Sequence, residues 1–250
     1  MLEIASVVFK KFWRKKIWLV SFVSSVFFLV FAIFLSISLE EKRMFVDSFF
    51  FLVEIFLFIF VVYLGFDFGN SEKKNNIMDF IFVNYPYLSK IYLNFFGLLG
   101  VLLFLVTCWF FVYSLVLFSF FIDYFFIISA LSWLGIVIKV SILLAFVLFL
   151  SSFLSTLTLL TSIVFYLVSH STTFLVFQLK KENFLLNFVF DFFYQVFPHF
   201  DKLSLKDHIF LLEKDFLSLS FFNLFAFHFL YLFLLLFLII VYSKCGFYRK

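Results

Sequence analysis

Long apolar runs separated by short polar breaks organise this chain. A hydrocarbon layer about 30 Å thick takes about 20 helical residues to cross, and runs of that kind fall at 17–39, 45–68, 95–121, 124–154, 156–177 and 216–242. The fourth and fifth form one continuous apolar region too long for a single helix. They divide at the hydroxyl cluster Ser151, Ser152, Ser155 and Thr156. The pattern predicts an all-α fold: an integral membrane helical bundle of six transmembrane helices in one domain, 1–250, with no internal repeat and no linker. Residues 1–16 are patterned differently. Leu2, Ala5, Val8, Phe9, Phe12 and Trp13 share one helical face, with Glu3, Ser6, Lys10 and Arg14 on the other, which predicts an amphipathic helix lying in the membrane interface.

Composition narrows the class. At 66% apolar and 14% charged residues with a mean hydropathy of +1.19, the chain falls well short of the roughly 25% charged residues of soluble domains. Phe supplies 51 of the 250 residues while Gly (6) and Pro (2) are scarce, a bias that reads as drift toward codons poor in G and C rather than as an aromatic binding surface.

Charge sets the expected sidedness, because Lys and Arg near span ends stay in the cytoplasm. Lys10, Lys11, Arg14, Lys15 and Lys16 place the N-terminus inside, and six spans then return 69–94, 151–156 and the tail with Lys244, Arg249 and Lys250 to the same side. The outer segment 178–215 keeps Lys180, Lys181, Lys202, Lys206 and Lys214, in a loop long enough for the rule to weaken. A cleaved signal is the competing reading of the N-terminus, with Ser36-Ile-Ser38 as the cleavage site. The apolar run exceeds the 7–15 residues of a signal core, so an uncleaved span is expected, in the plasma (inner) membrane of a prokaryote with both termini cytoplasmic.

Little in the sequence promises chemistry. Its glycines, at 65, 69, 97, 100, 135 and 246, never form a phosphate-binding lysine loop, so no nucleotide site is expected on this chain. No nucleic-acid partner is expected either. His170, His199, His208 and His228 show no pairing at helical spacing, so no metal site is expected, and His199 and His208 read as solvated loop residues. Glu40 and Glu41 are adjacent carboxylates without downstream histidines and are followed by Lys42 and Arg43, as in a solvated loop. Cys108 and Cys245 cannot be a disulfide framework on this topology.

Charges within spans cost at least about 2.5–3.5 kcal/mol near the helix centre, so Glu54 in the second span and Lys139 in the fourth need a reason. Two are open: the residues pair, or Glu54, with Asp47 two turns away, lines a polar path for transport. Ser151, Ser155, Thr158 and Ser162 recur along one helical face, the small-residue pattern of close helix packing, within one subunit or between two.

The polar stretch Gly69–Lys90 interrupts the apolar chain with an acid (Glu72), the short helix Ile77-Met-Asp-Phe-Ile-Phe-Val, a proline (Pro86) and the pair Ser89-Lys90. In that order, between the second and third spans, it resembles the coupling segment of ABC type-2 exporter permeases, with Asn75-Asn76 where that family usually has Gly-Thr. The six spans, the N-terminal amphipathic helix and the basic tail Phe247-Tyr-Arg-Lys resemble the family as well. Phe197-Pro-His-Phe is similar to the outer motif of the branch that includes permeases linked to copper-enzyme maturation and gliding, with His199 at the asparagine position. The resemblance implies a half-transporter that pairs with a second permease subunit, identical or related, and with separate ABC ATPase subunits that carry ATP and Mg. Residues 70–82 would be the coupling helix, with Glu72 and Lys73 in polar contacts, Ile77, Phe80 and Ile81 in apolar ones, and Pro86 and Lys90 completing the motif. No cofactor and no catalytic residue would then belong to this chain. A lipid-resting interfacial loop is the plain alternative for this segment. An ion-driven six-span transporter with Glu54 carrying a proton, or a membrane-embedded enzyme or assembly factor, are the alternatives for the whole chain.

Overall fold

In the computed structural model the described residues are 42–74, 87–120, 126–153, 157–179, 184–203 and 219–247, with isolated positions between 10 and 34. All secondary structure among them is helical: α1 (Lys42–Lys74), α2 (Tyr87–Phe120), α3 (Phe126–Phe153), α4 (Thr158–Leu179), α5 (Phe184–Val196) and α6 (Leu219–Phe247). Runs of Leu, Ile, Val and Phe without proline take this form because a helix satisfies every backbone polar group internally, as an apolar surrounding demands. Of the chain's two prolines, Pro198 lies just beyond the end of α5, where its missing N–H interrupts no helix.

Four of these helices are long and apolar enough to cross a membrane, through Asp47–Phe66, Phe95–Ser114, Ala130–Ser151 and Phe222–Ile239. The expected fifth span corresponds to α4, whose described apolar segment, Thr158–Ser171, is shorter. The expected first span and the interfacial helix at 1–16 lie largely outside the described residues. Those that are described from 19 to 34 are helical, and Phe28 sets its ring against Phe56 and Trp109 at centroid distances of 5.8 and 6.4 Å.

The bundle is centred on α3. Of its span, 72% is buried within the protein, against 22% for that of α6, and it packs against α1, α2, α4 and α6, most extensively against α1. Gly65 permits this pairing: a Cβ there would collide with the side chain of Val147. At one end of the α1–α3 seam, Phe49 and Phe50 of α1, Tyr113 of α2 and Trp133 of α3 form a buried aromatic cluster, with centroids 5.3–6.3 Å apart. The outward faces stay apolar, as at Phe51, Ile55 and Ile59 on α1 and Leu230, Phe233 and Phe237 on α6. Apolar faces of this breadth suit acyl chains rather than water.

Thr158, Ser162, Phe165 and Ser169 make the buried face of α4. Ser162 donates to the Thr158 carbonyl at 2.6 Å, so α4 approaches closely while its own backbone accepts that hydroxyl. The hydroxyl stripe expected on one helix is thus divided. Ser151 belongs to the last turns of α3 and donates to the Leu148 carbonyl at 2.9 Å, Ser155 lies outside the described residues, and Thr158 and Ser162 belong to α4. The three that are described pack within this chain.

Two boundaries differ from the sequence expectation. Residues 70–74, expected to open a separate short helix, continue α1 as far as Lys74, and α2 begins at Tyr87, well before the apolar run at 95. The segment 178–215, expected as an outer loop, contains α5, which turns back to pack along α4. A search for runs of spanning length misses α5, because this helix has only 13 residues.

Candidate functional site

The turn after α5, residues 197–203, is recessed into the bundle. The Phe200 amide donates to the Ser169 carbonyl of α4 at 3.0 Å. A Cβ on Gly135 of α3 would press into the Leu203 carbonyl oxygen, so only glycine lets the turn's backbone lie on that helix. His199 stacks between Tyr194 of α5 and Phe227 of α6, at 4.1 and 5.6 Å. Gly135 and His228 each stand nine residues from the start of their helices, and Ser169 ten from the end of its own. At 1.5 Å per residue, all three place the turn about 13–15 Å below the helix ends.

Deeper by one turn of α3 lies the charged pair. Lys139 Nζ stands 2.8 Å from Glu54 Oε1, with 5% and 13% of the two side chains exposed. Both helices present these residues on the faces with which they pair, Glu54 beside Val53 and Leu57, Lys139 between Ile138 and Val140. Of the two explanations open for these charges, the structure therefore displays pairing. Glu54, Phe58, Ile136, Lys139, Val140, Leu143 and Tyr166 line a small half-open cleft between α1, α3 and α4. Tyr166 closes one side of it, its ring 4.4 Å from Phe58 and 6.0 Å from Phe200 of the recessed turn. The turn meets this wall of the cleft through the Phe200–Tyr166 contact.

His199 and His228 are the polar residues that sequence reading misplaced. His199, read as solvated, is 7% exposed, and His228 of α6 is fully buried. Their rings stand 6.5 Å apart, edge to face. His228 Nδ1 donates to the Leu224 carbonyl at 2.7 Å, which leaves Nε2 as a buried acceptor with no hydrogen-bond partner among the described residues. Burial holds the His199 imidazole well below its ordinary pKa, at about 4; Lys202 pushes in the same direction and Asp201 opposes both. Lys202 hydrogen-bonds the Tyr194 hydroxyl and lies 5.0 Å over its ring. No sequence signal links positions 199 and 228, since they sit on different elements with no common period.

The residues of the expected coupling segment divide. Glu72 and Lys73 lie in the last turn of α1 and Lys90 in the first turn of α2; Ile77, Phe80, Ile81 and Pro86 lie outside the described residues. Among the described residues no three His, Cys, Asp or Glu side chains are placed to hold a metal ion. His170 on α4 faces the Tyr166 ring at 5.9 Å, and His208 and the side chain of Cys245 are beyond what is described. Compared with protein-family models, with curated proteins and with solved structures, the chain finds no match in any of the three.

Proposed function

We propose that this chain is the transmembrane permease subunit of an ABC exporter, working with a second permease subunit and separate ATPase subunits that hydrolyse ATP. The observation that carries the reading is the shape of the polar interruption. α1 continues as helix through Asn70, Ser71, Glu72, Lys73 and Lys74, six residues past the apolar run 45–68, and α2 begins eight residues before the apolar run 95–121. Six and eight helical residues extend about 9 and 12 Å, so the polar ends of α1 and α2 on either side of 75–86 continue as helix beyond the two apolar runs. Polar helix ends of this kind suit a docking partner in the aqueous phase, and rigid-body displacement applied to them passes into α1, the main packing partner of the central helix α3. On this reading the segment faces the cytoplasm of a prokaryotic cell, the chain has six spans in the plasma membrane, and the cleft that holds Glu54 and Lys139 belongs to the transport path.

Replacing Glu72, Ile77 and Phe80 together is the test. The variant should still insert and elute as a folded species while an ATPase that co-purifies with the native chain is lost; ATPase retained by the folded variant refutes the assignment. An ion-driven transporter is the second reading, favoured by the carboxylate of Glu54 in the cleft. It requires transport that persists without ATP and fails in E54Q.

A further inference from the structure

We infer that α5 dips into the membrane beside α4 and that its outward stripe, Phe188, Phe192 and Val196, is a lipid-binding surface whose partners are phospholipid acyl chains. The three stand at i, i+4 and i+8 and so share one face of the helix, and all three are exposed. Gln195 is the other exposed residue described on α5, and it carries no charge. Asn187, Asp191 and Tyr194 lie on the adjoining arc and are partly buried. Among the described helices α5 separates polar from apolar positions most strongly, the pattern of a helix at a lipid boundary.

Depth selects acyl chains over water as the occupant. The turn that follows α5 rests on Gly135, five residues inside the apolar window that starts at Ala130. On α6, His199 of the same turn stands against Phe227 and His228, five and six residues inside the window that starts at Phe222. At 1.5 Å per residue the turn lies about 7–9 Å within the apolar layer on both helices. α5 descends to it along α4, which ends at Leu179 while the turn bonds to Ser169, ten residues back. Four helical residues span about 6 Å, so Val196 is the deepest of the stripe, Phe192 the next, and Phe188 stands near the edge of the layer. At the level of the turn α4 exposes Leu167 and α6 exposes Leu230, so the stripe continues an outer surface that is apolar on both neighbours. The backbone obeys the same constraint. Non-helical chain at this depth is tolerated where protein encloses it, and Pro198, His199, Phe200 and Leu203 are all buried, with the Phe200 amide bonded to Ser169. Lys202, the exposed charge of the turn, gives its amine to the Tyr194 hydroxyl and lies over that ring.

Spin-label accessibility on the full chain in phospholipid nanodiscs tests this, and because it uses no ATPase its result stands apart from the permease reading. With Cys108 and Cys245 replaced by serine, a nitroxide goes singly on F188C, F192C or V196C, with L230C as the reference on a spanning helix. Dissolved oxygen concentrates among acyl chains and a nickel chelate in water, so the ratio of their relaxation effects reports the surrounding medium. The ratio should rise severalfold from position 188 through 192 to 196 and there reach the value at 230. Nickel dominance at 192 and 196 overturns the inference, because the stripe then faces water. Exclusion of both reagents overturns it as well, because protein then covers the stripe. So does a ratio that stays level or falls from 188 to 196, since α5 would then not descend into the layer.

Discussion

Neutralising one member of the Glu54–Lys139 pair should damage the bundle more than neutralising both. At 2.8 Å and an effective dielectric of about 20, the attraction is about 6 kcal/mol, and most of it is offset by removing two ions from water. Either single change, E54Q or K139M, takes away the attraction but leaves the other group's desolvation in place, so each should cost about 3–5 kcal/mol. E54Q/K139M removes both terms. It should lie within about 1–2 kcal/mol of the native chain and give a coupling energy above about 2 kcal/mol in a double-mutant cycle. Equilibrium unfolding in mixed detergent micelles, followed by the native tryptophan fluorescence of Trp109 and Trp133, reads all four corners of the cycle. Additive losses would refute the reasoning. They would mean that Glu54 and Lys139 are each solvated separately, as residues lining a polar path would be.

G135A should displace the 197–203 turn, because the added Cβ meets the Leu203 carbonyl rather than a yielding side chain; hydrogen exchange should show the Phe200 amide losing protection while the α1–α3 seam keeps it. The pH dependence has a fixed sign. The folded-state pKa of His199 lies below its unfolded value, so the unfolded chain binds more protons; this stability is fully present above about pH 6.5 and is lost as pH falls toward about 4, by at most about 3 kcal/mol. H199F should flatten that segment of the unfolding profile, and an unchanged slope would remove His199 as its source. W109A should cost about 3–5 kcal/mol, since Trp109 is 2% exposed against Phe28 and Phe56; a loss below about 1 kcal/mol in the same detergent assay would show that Phe28 and Phe56 do not pack on Trp109 in the membrane.

Membrane character and helical class were legible in the sequence, because both depend on length and apolarity along the chain and no tertiary contact is needed to compute them. The strong runs at 45–68, 95–121 and 216–242 overlap α1, α2 and α6 for that reason. Glu54 and Lys139 stood out because a charge in an apolar run is locally anomalous, but they stand 85 residues apart and nothing along the chain signals that they meet. Only the pairing of α1 with α3, made close by Gly65, decides that. α5 and its turn were hidden for a related reason. A short amphipathic helix in a polar segment resembles any loop helix until the chain folds back along α4, and histidine burial depends on what closes over it. His199 and His228 are neighbours through the recess that Gly135 permits. A span of sequence thus fixes which residues leave water, while the packing of helices distant along the chain fixes which polar groups leave it together, because pairing energies depend on separations in space that one-dimensional order does not encode.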